Sequence, residues 1–588
     1  MPLQEGMSTC MNKKVIKFML GLLKSYRKRM AVVLICMIVV SAFGAIYPLF
    51  QRAIFDDGIM AGDFRAVIYF TGLILGLFLI EQLFSFIQFI NYEYINRQIP
   101  FELMGKVVEH SIQLKMSYHK DNNFIKIIDN VNNDMASITQ VVNASLLQAV
   151  VSLFKIIGGI IGLAFIDWRL TIFILAIIPL EVFTKSRFAA RQQRHFNISL
   201  KLQEKFSMWF GETFKSIEVI KLWNLQKKRT DEFDRFKKDL MQINAKMEYE
   251  NNYSNVSSVT LGTIFNHGLN LLGAMFILRG ELTIGGLFAF AAYSAYVMQP
   301  VALLADISYR FSSSLPSFTR FMDYFDNDIE CQEGSSTVGA FTKVESLSFE
   351  NVKFAYNDKK TILESIDFSI HLGEKIAFVG ANGSGKSSIV NLILRFYEPK
   401  SGSIKINGID IQQIALKEYR ELIGVMNQDI TLFDDSIKNN INVLGDLSEL
   451  QVQDYLEKAT GSELIYSLPD GFETGVGFNG SKLSGGEKQK ISLARTLAKK
   501  CRIMILDEAT ASFDSKAEER FNNYIFESTQ YDIIIVISHR ENILKGLDKI
   551  FMIDNGVIID SGTFSELLIR NDYFKKVLAQ EGTTTRGR

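Results

Sequence analysis

Two short stretches carry residue types that together handle phosphate. The first is Gly380-Ala381-Asn382-Gly383-Ser384-Gly385-Lys386-Ser387-Ser388, set between the apolar run Lys375–Val379 and the helical run Ile389–Phe396. A strand, a glycine-rich loop and a helix in this order form a phosphate cradle. Gly380, Gly383 and Gly385, with Asn382 and Ser384 between them, let backbone N–H groups wrap phosphate oxygens at a helix N-terminus, and Ser388 lies just behind. Lys386 supplies a point charge, and the Ser387 hydroxyl is placed to ligate Mg2+. The second stretch is Ile503–Leu506, an apolar strand ending in Asp507-Glu508. Asp507 can hold Mg2+ through water, and Glu508 can polarise a water that attacks the phosphate. An acidic pair can also be a solvated strand end, and the upstream loop argues against that reading.

These residues need a soluble α/β scaffold, yet only part of the chain can provide one. Of the 588 residues 48% are apolar and 22% charged, so a single compact soluble domain and a disordered chain are both excluded. The apolar residues concentrate in the first half. Ala31–Gln51, Ala66–Tyr92 and Val141–Ile166 read as membrane crossings, since roughly 20 residues of helix span a bilayer. Leu170–Thr184, Asn251–Leu278 and Leu282–Ala305 follow, which gives six crossings. Asp167-Trp168-Arg169 makes a tight polar turn between the third and fourth.

Lys and Arg crowd the N-terminal segment and the long connections Arg97–Asp134 and Lys185–Glu250, whereas the alternate connections are short. The positive-inside rule therefore puts both termini and the long connections on the cytoplasmic side of the plasma membrane. Phe206, Trp209, Phe210, Phe214, Ile217 and Ile220 recur at helical spacing, so these connections read as helices running beyond the bilayer. Lys13, Lys14, Val15, Ile16, Phe18, Met19, Leu22 and Leu23 read as an amphipathic helix at the inner surface. Glu81 and Lys155 fall inside crossings, where charge is costly. They line a polar substrate pathway, pair with each other, or sit near the membrane edge; His267 and Asn270 are weaker candidates of the same kind. With 64 basic and 64 acidic residues the net charge is zero, which gives no reason to expect nucleic acid as a partner. The four cysteines show no disulfide or zinc spacing.

Between the phosphate loop and the acidic pair lies Leu483-Ser484-Gly485-Gly486-Glu487-Lys488-Gln489. With it the chain resembles the ATP-binding-cassette (ABC) exporters, each half of which has six crossings and one cassette. The resemblance implies a multi-domain membrane protein: an all-α transmembrane domain with long cytoplasmic extensions, then an α/β P-loop ATPase domain. The expected boundaries are a 1–30 N-terminal segment, a 31–325 membrane domain, a 326–345 linker, a 346–580 cassette and a 581–588 tail. It further implies that Tyr356 stacks on adenine, that Gln428 reads the cassette–membrane contact and reaches Mg2+, that Asp514 belongs to the loop after the acidic pair, and that His539 acts on the γ-phosphate. Ser484, Gly485, Gly486 and Glu487 would complete the ATP site of a second copy. Two chains would then sandwich two ATP molecules with Mg2+.

Since every ATPase element is present, a homodimer is favoured over a paired half-transporter. Short coupling helices are expected near Asn123–Asn130 and Gly211–Leu222. Phe478 stands where exporters often carry Glu, and Phe513 where Leu is common. The substrate favoured is a peptide or similar amphipathic compound, then a lipid or lipid-linked compound, then a drug; an ATP-gated channel or sensor is the non-pumping alternative.

Overall fold

The computed structural model describes residues 15, 17–19, 21–122, 124–140, 146–332, 343–356, 360–468 and 470–584. The chain divides into a helical unit, Met1–Leu114 with His119–Asp328, and an α/β unit, Lys115–Tyr118 with Ile329–Arg588.

The helical unit follows the hydropathy. Helix α1 (Arg27–Ala53) runs into a π-helical turn, Ile54–Met60. Helix α2 (Phe64–Gln113) begins at Asp63, whose carboxylate accepts the N–H groups of Arg65 and Ala66. At ~1.5 Å per residue its 50 residues span about 75 Å, over twice a ~30 Å hydrocarbon core. The short α3 (Met116–Asp121) begins in the segment grouped with the α/β unit, and the helical unit continues with α4 (Phe124–Gln140), α5 (Leu146–Ile166), α6 (Trp168–Lys215), α7 (Ile217–Leu222), α8 (Gln226–Leu278) and α9 (Ile284–Phe325). Of the described helices, five are long and apolar enough to cross a membrane. Helix α6 is not among them, because its apolar run is bracketed by Arg169 and Lys185 and broken by Glu181.

The Asp167-Trp168-Arg169 turn forms as expected. Asp167 caps α6 by accepting from the N–H groups of Arg169 and Leu170, and Arg169 bridges to Glu281 at the end of α8. The first of the two expected short helices does not lie at 123–130. It is α3, set upstream, because Leu114 turns to an extended conformation and ends α2 there. Residues 124–130 belong instead to the continuous α4, and Asn123 lies outside the described residues. The second short helix, α7, does fall within the expected segment. Near the N-terminus Val15, Met19, Leu22 and Leu23 are buried, and the Phe18 ring packs on Phe318 and Phe321 of α9. Lys13, Lys14 and Ile16 lie outside the described residues.

The α/β unit holds two sheets. The strands β1 (Ser346–Phe354), β2 (Leu363–His371), β4 (Ser401–Ile406) and β5 (Ile409–Asp410) form an antiparallel sheet in the order β2-β1-β4-β5. The second sheet contains β3 (Lys375–Val379), β6 (Ile423–Met426), β7 (Ile503–Asp507), β8 (Ile533–Ile537), β9 (Lys549–Asp554) and β10 (Val557–Gly562). Its order is β10-β9-β3-β8-β7-β6, parallel from β9 to β6. Strand β8 is Ile-Ile-Ile-Val-Ile and wholly buried, as a strand covered on both faces must be.

Within the helical unit, α5 meets α9 through small residues. A Cβ on Gly162 would stand 2.6 Å from the Tyr293 ring, and one on Gly159 would stand 2.5 Å from Val297. Gly162→Val is therefore expected to cost about 1–3 kcal/mol by overpacking. Thermal unfolding of the detergent-solubilised protein should show a clear drop in midpoint; an unchanged midpoint would contradict this close approach.

Candidate functional site

The phosphate loop leaves the carboxyl end of β3 and enters helix α10 (Lys386–Ile393). Only glycine fits at its two ends. A Cβ on Gly380 would collide with the Ile553 carbonyl, and Gly385, at φ +114°, would press 2.6 Å against Leu363. Gly383 also takes a positive φ, +82°. Asn382 is exposed at the tip. Among the described residues the buried Ser384 hydroxyl has no hydrogen-bond partner.

Lys386 is only 8% exposed, and its ammonium donates to the carbonyls of Gly380 (2.5 Å) and Ala381 (3.0 Å). Burial lowers its pKa, opposed by the nearby carboxylates of Asp507 and Glu508. A cradle that a Cβ at Gly380 or Gly385 would fill, an unsatisfied hydroxyl and a buried cation at a helix N-terminus fit a chain of phosphates. Ser387 is exposed beside it. Behind it the Ser388 hydroxyl lies 3.1 Å from the Tyr356 hydroxyl, and the Tyr356 ring packs edge-on against Phe354 and Tyr397.

Asp507 ends β7, two strands from β3. Its pKa is pushed up to about 6, first by burial and then by repulsion from Glu508, with Lys386 drawing it partly back. Glu508 takes a left-handed backbone, φ +51°. Its carboxylate accepts from the Gln428 side-chain amide at 2.9 Å, just beyond the end of β6. A hydroxyl, an amide oxygen and a carboxylate (Ser387, Gln428 and Asp507) are the hard oxygen donors that Mg2+ takes. Among the described residues no cluster of three His, Cys, Asp or Glu forms a metal cage, so phosphate oxygens and water would complete the shell.

The remaining residues arrive from two further segments. Ser484 caps helix α11 (Gly485–Ala498) in a reciprocal box with Glu487, whose carboxylate accepts the Ser484 N–H at 2.7 Å. Both side chains thus serve the cap. Above Gly485 a Cβ would meet open space, and above Gly486 only Ser512 at 3.8 Å. Asp514 caps helix α12 (Ser515–Glu527), accepting from the Ala517 N–H. His539 is half-buried on the loop after β8. Next to it Arg540 ties that loop to Glu518 (2.8 Å) and to the Ala511 carbonyl (2.8 Å). Phe478 is 82% exposed.

Sequence reading missed Gln489. Its side chain donates to the Glu508 carbonyl (3.0 Å) and accepts from the Ser512 N–H (2.9 Å). The signal was there: Gln489 falls on the apolar stripe with Leu493 and Thr496, an amide where a helix buries its face.

In the membrane unit, Glu81 and Lys155 do not pair with each other. The Tyr47 hydroxyl donates to Glu81 at 2.5 Å, while the Lys155 ammonium lies over the Tyr296 ring at 5.6 Å. His267 is exposed on α8 and takes part in neither contact. A cavity of about 640 Å3 lies among α6, α8 and α9, lined by Lys185, Gln192, Asn251, Asn252, Asn255 and Arg310. Lys185 pairs there with Asp306 at 3.6 Å.

Residues 30–301 match the family model described as ABC transporter transmembrane region, and residues 363–511 the one described as ABC transporter. The chain is 28% identical over 567 residues to an ATP-dependent lipid A-core flippase of Syntrophus aciditrophicus (strain SB), covering 95% of this chain and 94% of the relative. It is 27% identical over 557 residues to the uncharacterized ABC transporter ATP-binding protein YfiC of Bacillus subtilis (strain 168), covering 93% and 91%. The solved structure of a bacterial Atm1-family ABC exporter with ATP bound shares the fold, with a TM-score of 0.85 and 22% identity over 94% of this chain and 99% of that one.

The Asp507 environment carries a pH signature. An aspartate in an unfolded chain titrates near pH ~3.9. Since the folded value is raised, the folded state holds this proton more tightly, and the resulting stability is present below about pH 4 and lost as the pH rises through about 6. Nucleotide-free Asp507→Asn should therefore melt higher than the parent at about pH 7.5, and the margin should shrink towards about pH 4.5. Thermal midpoints across that range check it; a pH-independent margin would contradict the shift.

Proposed function

Because this chain belongs to the ABC transporters, as an exporter-type half with its membrane and ATPase parts fused, we propose that it hydrolyses ATP to move an amphipathic lipid across the cytoplasmic membrane. The observation that carries the ATPase reading is the meeting of Lys386, Asp507, Glu508 and Gln428 at one edge of the parallel sheet.

In this reading the loop amides and Lys386 hold the β- and γ-phosphates, and Tyr356 receives the adenine. Ser387, Gln428 and Asp507 would hold Mg2+, and when bound it would supply charge neutralisation at the phosphate oxygens. Glu508 accepts the proton of the attacking water, its carboxylate aimed by the Gln428 amide. His539 stands ready to hydrogen-bond the γ-phosphate from the next strand. Ser484, Gly485 and Gly486 of a second copy close the site, so the working unit is a homodimer in which each chain completes the other's site. The Lys- and Arg-rich long connections support a cytoplasmic cassette and cytoplasmic termini.

The relative named a lipid A-core flippase favours a lipid over the peptide that the resemblance alone put first. The amide-lined cavity supports the same reading. Gln192, Asn251, Asn252 and Asn255 follow or begin the apolar runs of α6 and α8, the depth at which a polar headgroup would sit. Glu81 and Lys155, each met by a tyrosine, are read as structural charges and not as the pathway.

The test is ATPase activity of the full-length protein in vesicles, with glycolipids and hydrophobic peptides as additives. Saturable stimulation by glycolipid is expected, and stimulation by peptide alone would overturn the lipid assignment. Glu508→Gln should lower turnover by about 100-fold or more while ATP stays bound; normal turnover in that variant would remove Glu508 as the base.

A further inference from the structure

Glu508 holds a backbone conformation that non-glycine residues avoid, φ +51°. Such a residue persists only where its surroundings over-determine it. Three hydrogen bonds do so here. The Glu508 N–H donates to the Ile537 carbonyl (2.9 Å), while its own carbonyl accepts from the Ala511 N–H (3.1 Å) and from the Gln489 side chain (3.0 Å). The first two bonds are backbone to backbone, and almost any sequence could make them. The third depends on one side chain.

Gln489 is 5% exposed, and both halves of its amide are used: Nε2 on the Glu508 carbonyl, Oε1 on the Ser512 N–H at 2.9 Å. It rises from the second turn of α11, the helix that Ser484 and Glu487 cap. One buried amide therefore joins the start of α11, the turn that aims the Glu508 carboxylate, and the loop leading to Asp514. A buried, fully satisfied polar group of this kind is specific in geometry and costly to break.

We propose that Gln489 is a positioning residue for hydrolysis: its amide locks the left-handed turn at Glu508 and couples the aim of that carboxylate to the position of the helix beginning at Ser484. This rests on Glu508 being the base. When α11 shifts, the Gln489 amide carries the shift to the Glu508 peptide, so that the base is aligned only when the helix is seated. Both polar atoms of Gln489 are spent on Glu508 and Ser512, so it acts on kcat through Glu508.

Two full-length variants in vesicles test it. Gln489→Met keeps the side-chain length and removes both bonds; Gln489→Glu keeps the acceptor for Ser512 and loses the donor to Glu508. Both are expected to lower kcat about tenfold or more, with KM for ATP and the affinity for a fluorescent ATP analogue within about twofold of the parent. Having two variants guards against one failing to fold, and nucleotide affinity reports that the cassette is intact. Placed in a Glu508→Gln background, Gln489→Met should reduce the residual rate no further, because it acts through a group already removed. Parallel loss of ATP affinity and kcat, or a tenfold loss that multiplies with Glu508→Gln, would overturn the proposal. Should Glu508→Gln alone turn over normally, the base reading fails by itself, and a Gln489 effect on kcat seen alongside it would show that the residue does not act through Glu508.

Discussion

Parallel strands of one sheet all point their carboxyl ends the same way, and in this chain that constraint gathers the chemistry. From β3 comes the glycine loop, from β6 Gln428, from β7 Asp507 and Glu508, and from β8 the Ser538-His539-Arg540 segment. All four emerge at carboxyl ends on one edge, the place where open α/β sheets receive ligands. Long crossovers are needed between parallel strands, and one of them contains α11. The segments lie far apart in sequence, but the sheet register leaves them no other place. Buried Lys386 is tolerable there because two carboxylates face it, and burial, followed by repulsion from Glu508, raises the pKa of Asp507 beside it.

The membrane unit answers to a different constraint. In a bilayer polar groups must find partners within the protein. Glu81 finds the Tyr47 hydroxyl, Lys155 the face of Tyr296, and the hydroxyls of Tyr293 and Tyr296 the backbone carbonyls of Ala45 and Ser41 in α1. Glycines on α5 let the same two tyrosines come close. Helices of about 50 residues run well beyond their apolar spans; α2 ends just before the short helix α3 and α6 just before α7, while the polar cavity lies at the middle of α6 and α8.

What could be read from the residues was whatever is local. The glycine loop, the acidic strand end, the polar turn at Asp167 and the apolar runs depend on neighbours in sequence, and the structure shows each of these elements. The first short helix was misplaced because what ends α2 is a backbone turn at Leu114, which hydropathy does not encode. The two intramembrane charges suggested each other as partners, since opposite signs pair in principle; tyrosines on α1 and α9 took that role, and no periodicity reports which helices are neighbours. Gln489 stands out by its place on the buried stripe of α11, but its partners are not local in sequence. Its meaning appears only when Ser512 and Glu508 are brought against it.

In the proposed homodimer each ATP site is shared between two copies of this chain. Co-assembling two differently tagged copies, one Lys386→Ala and the other Ser484→Arg, tests it most directly. If Lys386 of one copy works with Ser484 of its partner, the mixed dimer keeps one intact site. Single-turnover ATP hydrolysis should then be recovered in the mixed dimer, although each variant alone is inactive. A mixed dimer as inactive as its parents would mean that both residues serve the same chain's site, and would contradict the account.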